Sequence, residues 1–505
     1  MSVKKYTPSW TKQNTLKSAS MFFVHFLILT LILAVLLLWD KLSVLPQYME
    51  KNGANYLYAL FCALLLIIIL YCYFLFENQE ILLNGKSMAL VFAVLDVYVI
   101  ISYLVGSKIG IYARPVAFVA LMILTLVGRR EAIFLNIISA LLMFVVDTFV
   151  GTDDGTQIMY YSSLIISFSA GMFAIFFCEK TKTRFGVMGI GIFIVLPIDL
   201  IILLLEISSL VNNGQTAVGV MPPFEEVITS MGYGLFGGVM STVLFLALLP
   251  FFERAFNCLT VFRLRELTSS DAKLLKRLKE DAPGTYNHSM MVAQLAEACA
   301  AAIGENTDYA RAAALYHDVG KIQYPENFTE NQGEYNLHDE LTPELSADII
   351  RSHAKDGYST IHTHKLPDFL ADVAIQHHGT LPIRYFYAKA LKLTDGELNI
   401  EDFSYLGPKP QTKIAAIIMI ADAAEAVVRA TGSRSPEAAE KAIRGIIEER
   451  MDLEQFSECD ITMGDLTKIR LALVNTLTGV YHHRIKYPNI KYKRNEDGTT
   501  KGENV

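Results

Sequence analysis

The sequence predicts an all-α protein in which a multi-span helical membrane domain is followed by an all-helical domain in the cytoplasm. Of its 505 residues, 52% are hydrophobic and only 19% are charged, and the mean hydropathy of +0.34 exceeds that of ordinary soluble chains. The long apolar runs lie in the first half, whereas dense charge and all the histidines except His25 lie in the second. The second half shows helical periodicity without the alternation typical of strands.

The first 252 residues are expected to form the membrane domain. Residues 1–19 are basic and predicted to be cytoplasmic, and the apolar run that follows lacks a small-residue cleavage site, which indicates a retained anchor. A spanning helix needs about 20 mostly apolar residues. Over 20–252 this rule predicts about eight helices, one plus seven, with the fourth short: 20–39, 56–76, 88–105, 112–127, 132–150, 157–178, 186–206 and 233–252.

Basic residues indicate the orientation of these helices, because cytoplasmic loops collect Lys and Arg. One side of the predicted membrane domain contains Lys4, Lys5, Lys12, Lys17, Lys86, Arg129, Arg130, Lys180, Lys182, Arg184, Arg254, Arg263 and Arg265. The opposite side contains only Lys41, Lys51, Lys108 and Arg114. We therefore expect a multi-pass protein of the cell inner (plasma) membrane, with its N-terminus and its C-terminal domain in the cytoplasm.

Three acidic residues, Asp96, Asp147 and Asp199, fall within predicted spans. Ionisable groups are costly in lipid and usually face a bundle interior or a cavity. One interpretation is a ligand or ion site used for sensing. The alternative, which we favour, is a hydrogen bond between helices or, for Asp147, a position near the membrane interface.

Composition disfavours two kinds of site. The net charge is −7 and the basic residues form no stripe, so duplex DNA or RNA is not an expected partner. The six cysteines show no CxxC spacing, which argues against a zinc knuckle and against a disulfide framework.

The second half divides into three predicted parts. Residues 253–282 have helical periodicity and are expected to form linker helices between the membrane and the globular domain. Residues 283–485 are expected to form the helical domain that carries the chemistry. The polar residues 486–505 are predicted to be a disordered tail.

Seven residues of the helical domain are candidate metal ligands: His288, His317, Asp318, His353, His377, His378 and Asp422. Imidazole and carboxylate ligands suit iron, manganese and zinc, and without thiolates a structural zinc site is disfavoured. A single histidine on a helix is more often a satisfied polar residue than a ligand, so the argument rests on the whole set. Seven ligands exceed the needs of one ion and predict two divalent ions bridged by Asp318, which could generate a hydroxide nucleophile for an in-line phosphoryl displacement.

Two residues that follow Asp318 extend this hypothesis. Gly320 permits close approach of the backbone, and Lys321 is predicted to be catalytic and substrate-binding, meeting a phosphate oxygen as a point charge. The alternative for Lys321 is a solvated lysine at a helix end. The remaining downstream histidines are predicted to lie on the surface: His338, His362, His364, His482 and His483.

The stretches YHDVGKIQYPENFTENQ, IIRSHAKDGY, IQHHGT and GPKPQTKIAAIIMIADAAEA resemble the HD superfamily of metal-dependent phosphohydrolases. Together with LMILTLVGRREA, they are most similar to its 7TM-HD group, and the likeness covers most of residues 85–480. The resemblance implies an HD-domain phosphodiesterase of a cyclic dinucleotide, with cyclic di-AMP cleaved to pApA and with iron or manganese bound by the seven residues. The sequence reads HHGT where the HD-GYP class, which cleaves cyclic di-GMP, would show a GYP element. By resemblance, this difference favours cyclic di-AMP.

One departure from that group concerns the region after the first span. The group usually carries an extracellular domain there, and residues 40–55 leave no room for one. The resemblance therefore leaves the sensed signal unassigned, and it is compatible with a homo-oligomer.

Alternative functions remain open at this stage. An HD phosphohydrolase could instead act on cyclic di-GMP, a nucleotide polyphosphate or a phosphomonoester. A non-catalytic nucleotide-binding membrane sensor is disfavoured because all seven ligand positions are filled. A transporter would explain the intramembrane aspartates but not the histidines.

Overall fold

The computed structural model describes residues 12–151, 157–181, 183–212, 224–333, 335–393, 396–431, 435–480, 490–494 and 500–504. Several residues used in the predictions lie outside these ranges, namely Lys4, Lys5, Lys182, His482 and His483. The chain divides into two compact units, Met1–Glu266 and Leu267–Val505, and each is described by itself.

The regular secondary structure in the described part of the first unit is helical. Its helices are α1 (Lys12–Leu38), α2 (Leu45–Glu77), α3 (Gln79–Leu83), α4 (Gly85–Lys108), α5 (Phe118–Leu126), α6 (Arg129–Phe149), α7 (Gln157–Cys178), α8 (Arg184–Asn212), α9 (Phe224–Ala255) and α10 (Val261–Leu267). Within the described residues, seven helices are long and apolar enough to cross a membrane: α1, α2, α4, α6, α7, α8 and α9. A six-residue 3-10 helix, Trp39–Val44, joins α1 directly to α2.

The fourth predicted span, 112–127, is not a continuous helix. A 3-10 turn at Ile111–Ala113 is followed by an extended Arg114 and by α5, which has nine residues and is about 14 Å long. Pro115 accounts for the break, because the residue before a proline is driven out of the helical conformation. Residues 111–123 are all buried. Irregular backbone at membrane depth is tolerated when it is buried in protein, so this segment forms part of the interior of the helix bundle.

Arg114 and Asp147 form a buried ion pair inside the first unit. The guanidinium donates from Nη1 to Asp147 Oδ2 at 2.5 Å and from Nη2 to Oδ1 at 2.7 Å, and each side chain is 1% exposed. Gly106 makes room for the pair, since a Cβ there would lie 2.5 Å from Arg114 Nε. Of the two interpretations of Asp147, the structure therefore supports an interaction between helical segments. Asp96 and Asp199 each keep one buried carboxylate oxygen without a hydrogen-bond partner.

The second unit is built from nine further α-helices in its described part. They are α11 (Lys273–Asp281), α12 (Pro283–Ile303), α13 (Thr307–Tyr316), α14 (Pro343–Thr363), α15 (Asp368–Gln376), α16 (Arg384–Leu391), α17 (Lys413–Thr431), α18 (Pro436–Asp452) and α19 (Met463–Val480). Short 3-10 helices lie at Val319–Gln323, Pro325–Asn327, Thr329–Asn331, Leu337–Asp339 and Ile400–Phe403. The alanine-rich α12 packs against α13, α17 and α19, because small side chains let helices approach closely.

The tail differs from the prediction of disorder. Strands β1 (Ile490–Arg494) and β2 (Thr500–Asn504) pair in antiparallel register, with Ile490 opposite Asn504. The sequence between them contains Asp497-Gly498, a dipeptide typical of hairpin turns. The prediction of disorder rests on the polar composition alone and does not use this local turn signal. Apart from these strands and an isolated bridge between Pro382 and Ser404, the regular secondary structure of the described residues is helical, which confirms the all-α prediction.

His338 is also placed differently from the prediction. It is 6% exposed, its Nε2 lies 2.9 Å from the carbonyl oxygen of Asn327, and its ring packs against Phe386. The 3-10 turn at 337–339 folds it inward, which no periodic pattern in the sequence indicates. His362 is exposed and His364 is half-buried.

Candidate metal centre

Five helices or helix ends supply the seven candidate ligands. His288 lies on α12, His317 and Asp318 directly follow α13, His353 lies on α14, His377 and His378 directly follow α15, and Asp422 lies on α17. Asp318 has φ −108° and ψ 14°, a sparsely populated region in which many active-site residues are found. Because the backbone leaves the helix there, the adjacent side chains of His317 and Asp318 can converge on one site. The structure brings all seven residues together.

Asp318 lies between two groups of histidines. Its Oδ2 is 3.2 Å from Nε2 of His317 and 3.8 Å from Nε2 of His288. Its Oδ1 is 3.3 Å from Nε2 of His353 and 3.6 Å from Nε2 of His377. One carboxylate thus faces two ligand clusters at once, which is the arrangement that a bridging ligand requires.

The two clusters can each be defined by their ligand atoms. We call His288, His317 and Asp318 the first cluster, and His353, His377 and His378 the second cluster; within each, the ligand atoms lie within 4.8 Å of one another. Asp422 adds a second carboxylate, with Oδ1 2.9 Å from His288 Nε2 and Oδ2 3.9 Å from His378 Nδ1.

Backbone carbonyls fix three of the histidine rings. Nδ1 of His317, His353 and His377 lies 2.7, 2.6 and 2.7 Å from the carbonyl oxygen three residues earlier in the chain. A carbonyl oxygen can only accept, so Nδ1 carries the proton and Nε2 turns its lone pair to the centre. This is the tautomer that a metal ligand needs.

Two buried atoms at the centre show that a cation would fit there. Nε2 of His317 and Oδ1 of Asp318 have no hydrogen-bond partner, although these side chains are 0% and 2% exposed. Buried polar atoms are rarely left without a partner. Imidazole nitrogens and carboxylate oxygens without thiolates are a donor set for iron, manganese or zinc.

Glu425 is a member of the site that sequence reasoning missed. It lies one helical turn after Asp422 on α17, and its Oε2 is 2.7 Å from Nδ1 of His288. A carboxylate behind a metal-binding histidine orients the ring and increases its basicity. The sequence contains one signal that could have identified Glu425: it lies three residues after Asp422, and residues at this spacing share a helix face.

The carboxylates of Asp422 and Glu425 favour a positive charge at the position of His288. Burial lowers the pKa of His288, but the hydrogen bonds with Asp422 and Glu425 outweigh burial and raise this pKa to about 10. A proton or a divalent ion would supply the positive charge that these carboxylates stabilise.

Asp318 and His377 have the protonation states of ligands. Burial raises the pKa of Asp318, but the adjacent His317 and the ammonium group of Lys321 outweigh burial and hold this pKa well below its usual range. Burial lowers the pKa of His377 to about 4. Asp318 is therefore anionic and His377 neutral at physiological pH, as metal coordination requires.

Lys321 has two carboxylate partners in the structure. Its Nζ lies 2.8 Å from Asp318 Oδ2 and 2.9 Å from Glu330 Oε1. Glu330 also accepts a hydrogen bond from the hydroxyl of Thr285 at 3.0 Å. Sequence analysis did not identify Glu330, which the chain brings back to the site through two 3-10 turns. An ammonium group has three donors, so two of the three point at these carboxylates.

Gly320 allows the segment after Asp318 to pack tightly against α14. A Cβ on Gly320 would lie 2.0 Å from the carbonyl oxygen of His353 and 2.5 Å from the backbone nitrogen of Gly357. The close approach expected from the sequence is therefore present. It sets the 3-10 segment that carries Lys321 directly against the helix that carries His353.

Comparison with known families agrees with this division of the chain. Residues 285–427 match the HD domain family, and residues 54–260 match the family described as 7TM receptor with intracellular HD hydrolase. With seven membrane-capable helices in its described part, the chain is a membrane protein. It contains a region that matches the 7TM receptor family and, after it, a region that matches the HD domain family.

The chain is also similar to the cyclic-di-AMP phosphodiesterase PgpH. It is 39% identical to PgpH of Bacillus subtilis (strain 168) over 421 residues, which is 83% of this chain and 57% of the relative. It is 46% identical to PgpH of Listeria monocytogenes serotype 1/2a (strain 10403S) over 265 residues, which is 52% of this chain and 37% of the relative. The matched part of the chain thus spans 57% of the length of the first of these curated relatives and 37% of the second.

A solved structure of the L. monocytogenes PgpH HD domain in complex with cyclic-di-AMP is also similar. It is 50% identical in sequence, covers 42% of this chain and 99% of that chain, and has a TM-score of 0.41.

Proposed function

We propose that this protein is a membrane-anchored phosphodiesterase that hydrolyses cyclic di-AMP to pApA with two divalent metal ions. The observation that carries the proposal is the position of Asp318, whose two oxygens face two separate histidine clusters. A site for one ion would not need a carboxylate shared in this way.

Seven side chains would hold the ions: His288, His317, Asp318, His353, His377, His378 and Asp422. Two divalent ions, with iron and manganese as the expected elements, would supply activation of water at neutral pH and neutralisation of charge on the phosphate. The protein contributes a dry and preorganised pocket, since His317, Asp318 and His377 are almost fully buried. It also contributes fixed tautomers through the carbonyl groups behind the rings.

Lys321 would act in two ways. Its contacts with Asp318 and Glu330 hold the bridging carboxylate in its ionised form and in place. Its third N–H would remain available to a non-bridging phosphate oxygen. This retains the predicted substrate-binding role and adds a positioning role.

The substrate assignment rests on similarity. Both curated relatives described above act on cyclic di-AMP according to their names, and the likeness includes the HD half that carries the seven ligands. Cyclic di-AMP is therefore the proposed substrate, with cyclic di-GMP and nucleotide polyphosphates as the competing candidates.

The proposed location is the inner membrane, with the N-terminus and the HD domain in the cytoplasm. Among described residues, Lys86, Arg129, Arg130, Arg184 and Arg254 lie at helix ends predicted to share one side, and such a bias marks the cytoplasmic side. The proposal requires the buried segment 111–126 to complete the eighth crossing. A C-terminal reporter that is active only in the cytoplasm tests it, because seven crossings would export the reporter.

The enzymatic test uses the full chain in lipid nanodiscs, loaded with Mn²⁺ or Fe²⁺ and given each candidate nucleotide in turn. We expect cyclic di-AMP to be converted to pApA faster than any other nucleotide is consumed, and Asp318→Ala to be inactive. Activity that survives Asp318→Ala would refute the bridged-metal site. Binding of nucleotide without turnover at any metal loading would instead favour a non-catalytic sensor.

A further inference from the structure

Gln455 lies next to the turn that carries two of the candidate ligands, although it is 75 residues away from that turn in the sequence. It follows α18 and lies outside residues 285–427, which match the HD family. Its side chain is almost fully buried, with 2% exposed. A buried primary amide needs partners for both its oxygen and its nitrogen.

Thr380 provides most of those partners. Gln455 Oε1 accepts a hydrogen bond from the backbone N–H of Thr380 at 2.9 Å, and Gln455 Nε2 donates to the Thr380 hydroxyl at 2.9 Å. Nε2 also donates to the carbonyl oxygen of Leu453 at 2.9 Å. The amide thus connects the end of α18 to the turn after α15 by two reciprocal bonds.

The backbone of the turn at Gly379 packs closely against the side-chain amide of Gln455. Gly379, between His378 and Thr380, has φ +53°, a left-handed conformation that suits glycine. A Cβ at Gly379 would lie 2.2 Å from Gln455 Oε1, so glycine is required there for space as well as for conformation. The turn and the amide fit each other as a pair.

Gln455 is held in place by an unusual backbone as well. Its N–H bonds to the carbonyl oxygen of Arg450 at 2.9 Å, and the preceding Glu454 has φ +53°. A non-glycine residue in this region costs energy, and such strain tends to persist where the surroundings impose it at functional sites. The left-handed conformation of Glu454 orients the side chain of Gln455 towards Thr380.

His378 is the ligand that depends most on this turn. His317, His353 and His377 are each fixed by a backbone carbonyl, whereas the ring of His378 stacks on Tyr405 with centroids 4.2 Å apart. The position of His378 therefore follows from where the turn places its backbone. Gly379 and Thr380 are the next two residues.

From this geometry we propose that Gln455 is a positioning residue for the second cluster, acting through Thr380 and Gly379 on His378. The inference rests on the proposed two-ion site. Removing the amide would leave the first cluster intact and weaken the binding of the second ion. Partners that bond directly to a metal ligand typically contribute about 10–100-fold to metal affinity. Because Gln455 acts on His378 only through the turn, we expect an effect near the lower end of this range.

The test is a Co²⁺ titration of the full chain in nanodiscs, followed by visible absorption and checked by metal analysis. We expect two equivalents in the wild type and, in Gln455→Ala, an unchanged first equivalent with a second bound at least about tenfold more weakly. Gln455→Glu keeps an oxygen for the Thr380 N–H and should recover part of the affinity. Ser457→Ala is the matched control, because Ser457 bonds to Glu454 and Lys409 in the same loop but to no residue of the turn.

Thr380→Val provides a second test in case Gln455→Ala does not fold, since it only exchanges a hydroxyl for a methyl group on an exposed residue. It should weaken the second equivalent less than Gln455→Ala does, and the double variant should resemble Gln455→Ala alone, because both changes remove the same interaction. Equal weakening of both equivalents, or no weakening of either, would overturn the positioning role. A wild type that binds a single equivalent would instead overturn the proposed two-ion site.

Discussion

Glu425 supports His288 from behind, accepting a hydrogen bond from its Nδ1 at 2.7 Å, while Nε2 of the same ring lies 2.9 Å from Asp422. The two carboxylates lie on α17, one turn apart, and the histidine lies on the adjacent α12. The packing of α12 against α17 therefore determines the orientation of this candidate ligand. Glu425 has a second neighbour, since its Oε1 lies 3.7 Å from Nε of Arg429.

Replacement of Glu425 should impair metal binding without unfolding the domain. Glu425→Ala removes the acceptor that orients His288, and we expect a loss of about 10–100-fold in metal affinity or turnover. Arg429→Ala is the control, because it removes the half-exposed neighbour of Glu425 and leaves the bond to His288 intact. Isothermal titration with Mn²⁺ measures the metal affinity of the wild type and of both variants. If Glu425→Ala binds Mn²⁺ as tightly as Arg429→Ala and the wild type do, Glu425 does not act on the site.

The candidate ligands could be predicted because histidines and aspartates in the order H, HD, H, HH and D are rare by chance in one helical domain. Glu425 and Gln455 could not be predicted from the sequence. A glutamate or glutamine in a polar helical pattern is typical of a surface residue, and only the tertiary packing shows which groups it contacts. Gln455 in particular reaches its turn only through the tertiary fold.

The same limit applies to the membrane domain. Apolar run length predicted the long helices well, since spanning length depends only on local sequence. Pro115 was a local signal for the break in the fourth span, but run length alone does not use it. That the broken segment is buried could not be predicted, because this depends on the partner that Arg114 finds in Asp147. Nor could composition predict the paired strands of the tail.

Gly320→Ala should disturb the site by overpacking. Its new methyl group would lie 2.0 Å from the carbonyl oxygen of His353, and the backbone would have to move at a cost of roughly 1–3 kcal/mol or more. We expect a lower thermal midpoint and a loss of turnover, because Lys321 and Asp318 move with this segment. Gly445→Ala is the control: it lies inside α18 with no atom within 4 Å of the added Cβ, so it should be neutral or slightly stabilising.

Lys321 can be tested for its two proposed roles separately. Lys321→Met leaves the carboxylates of Asp318 and Glu330 without the ammonium group between them, which should destabilise the metal-free domain by roughly 3–5 kcal/mol and abolish turnover of the metal-loaded protein. The double variant Lys321→Met with Glu330→Gln removes one of these charges and should regain much of the stability. If Lys321 also contacts phosphate, turnover stays low in the double variant. Recovery of turnover together with stability would limit Lys321 to charge balance.

The ion pair of Arg114 and Asp147 gives the last prediction, which concerns the membrane domain alone. Both side chains are 1% exposed, so Asp147→Ala leaves a buried guanidinium without its partner, at a cost of roughly 3–5 kcal/mol. The double variant Arg114→Met with Asp147→Leu removes both charges and should be less destabilised than Asp147→Ala, because no unpaired charge remains. Thermal unfolding of the full chain in detergent, followed by intrinsic fluorescence, compares the three proteins. A double variant that unfolds earlier than Asp147→Ala would mean that the pair itself, and not the avoidance of a lone charge, holds the broken segment in the bundle.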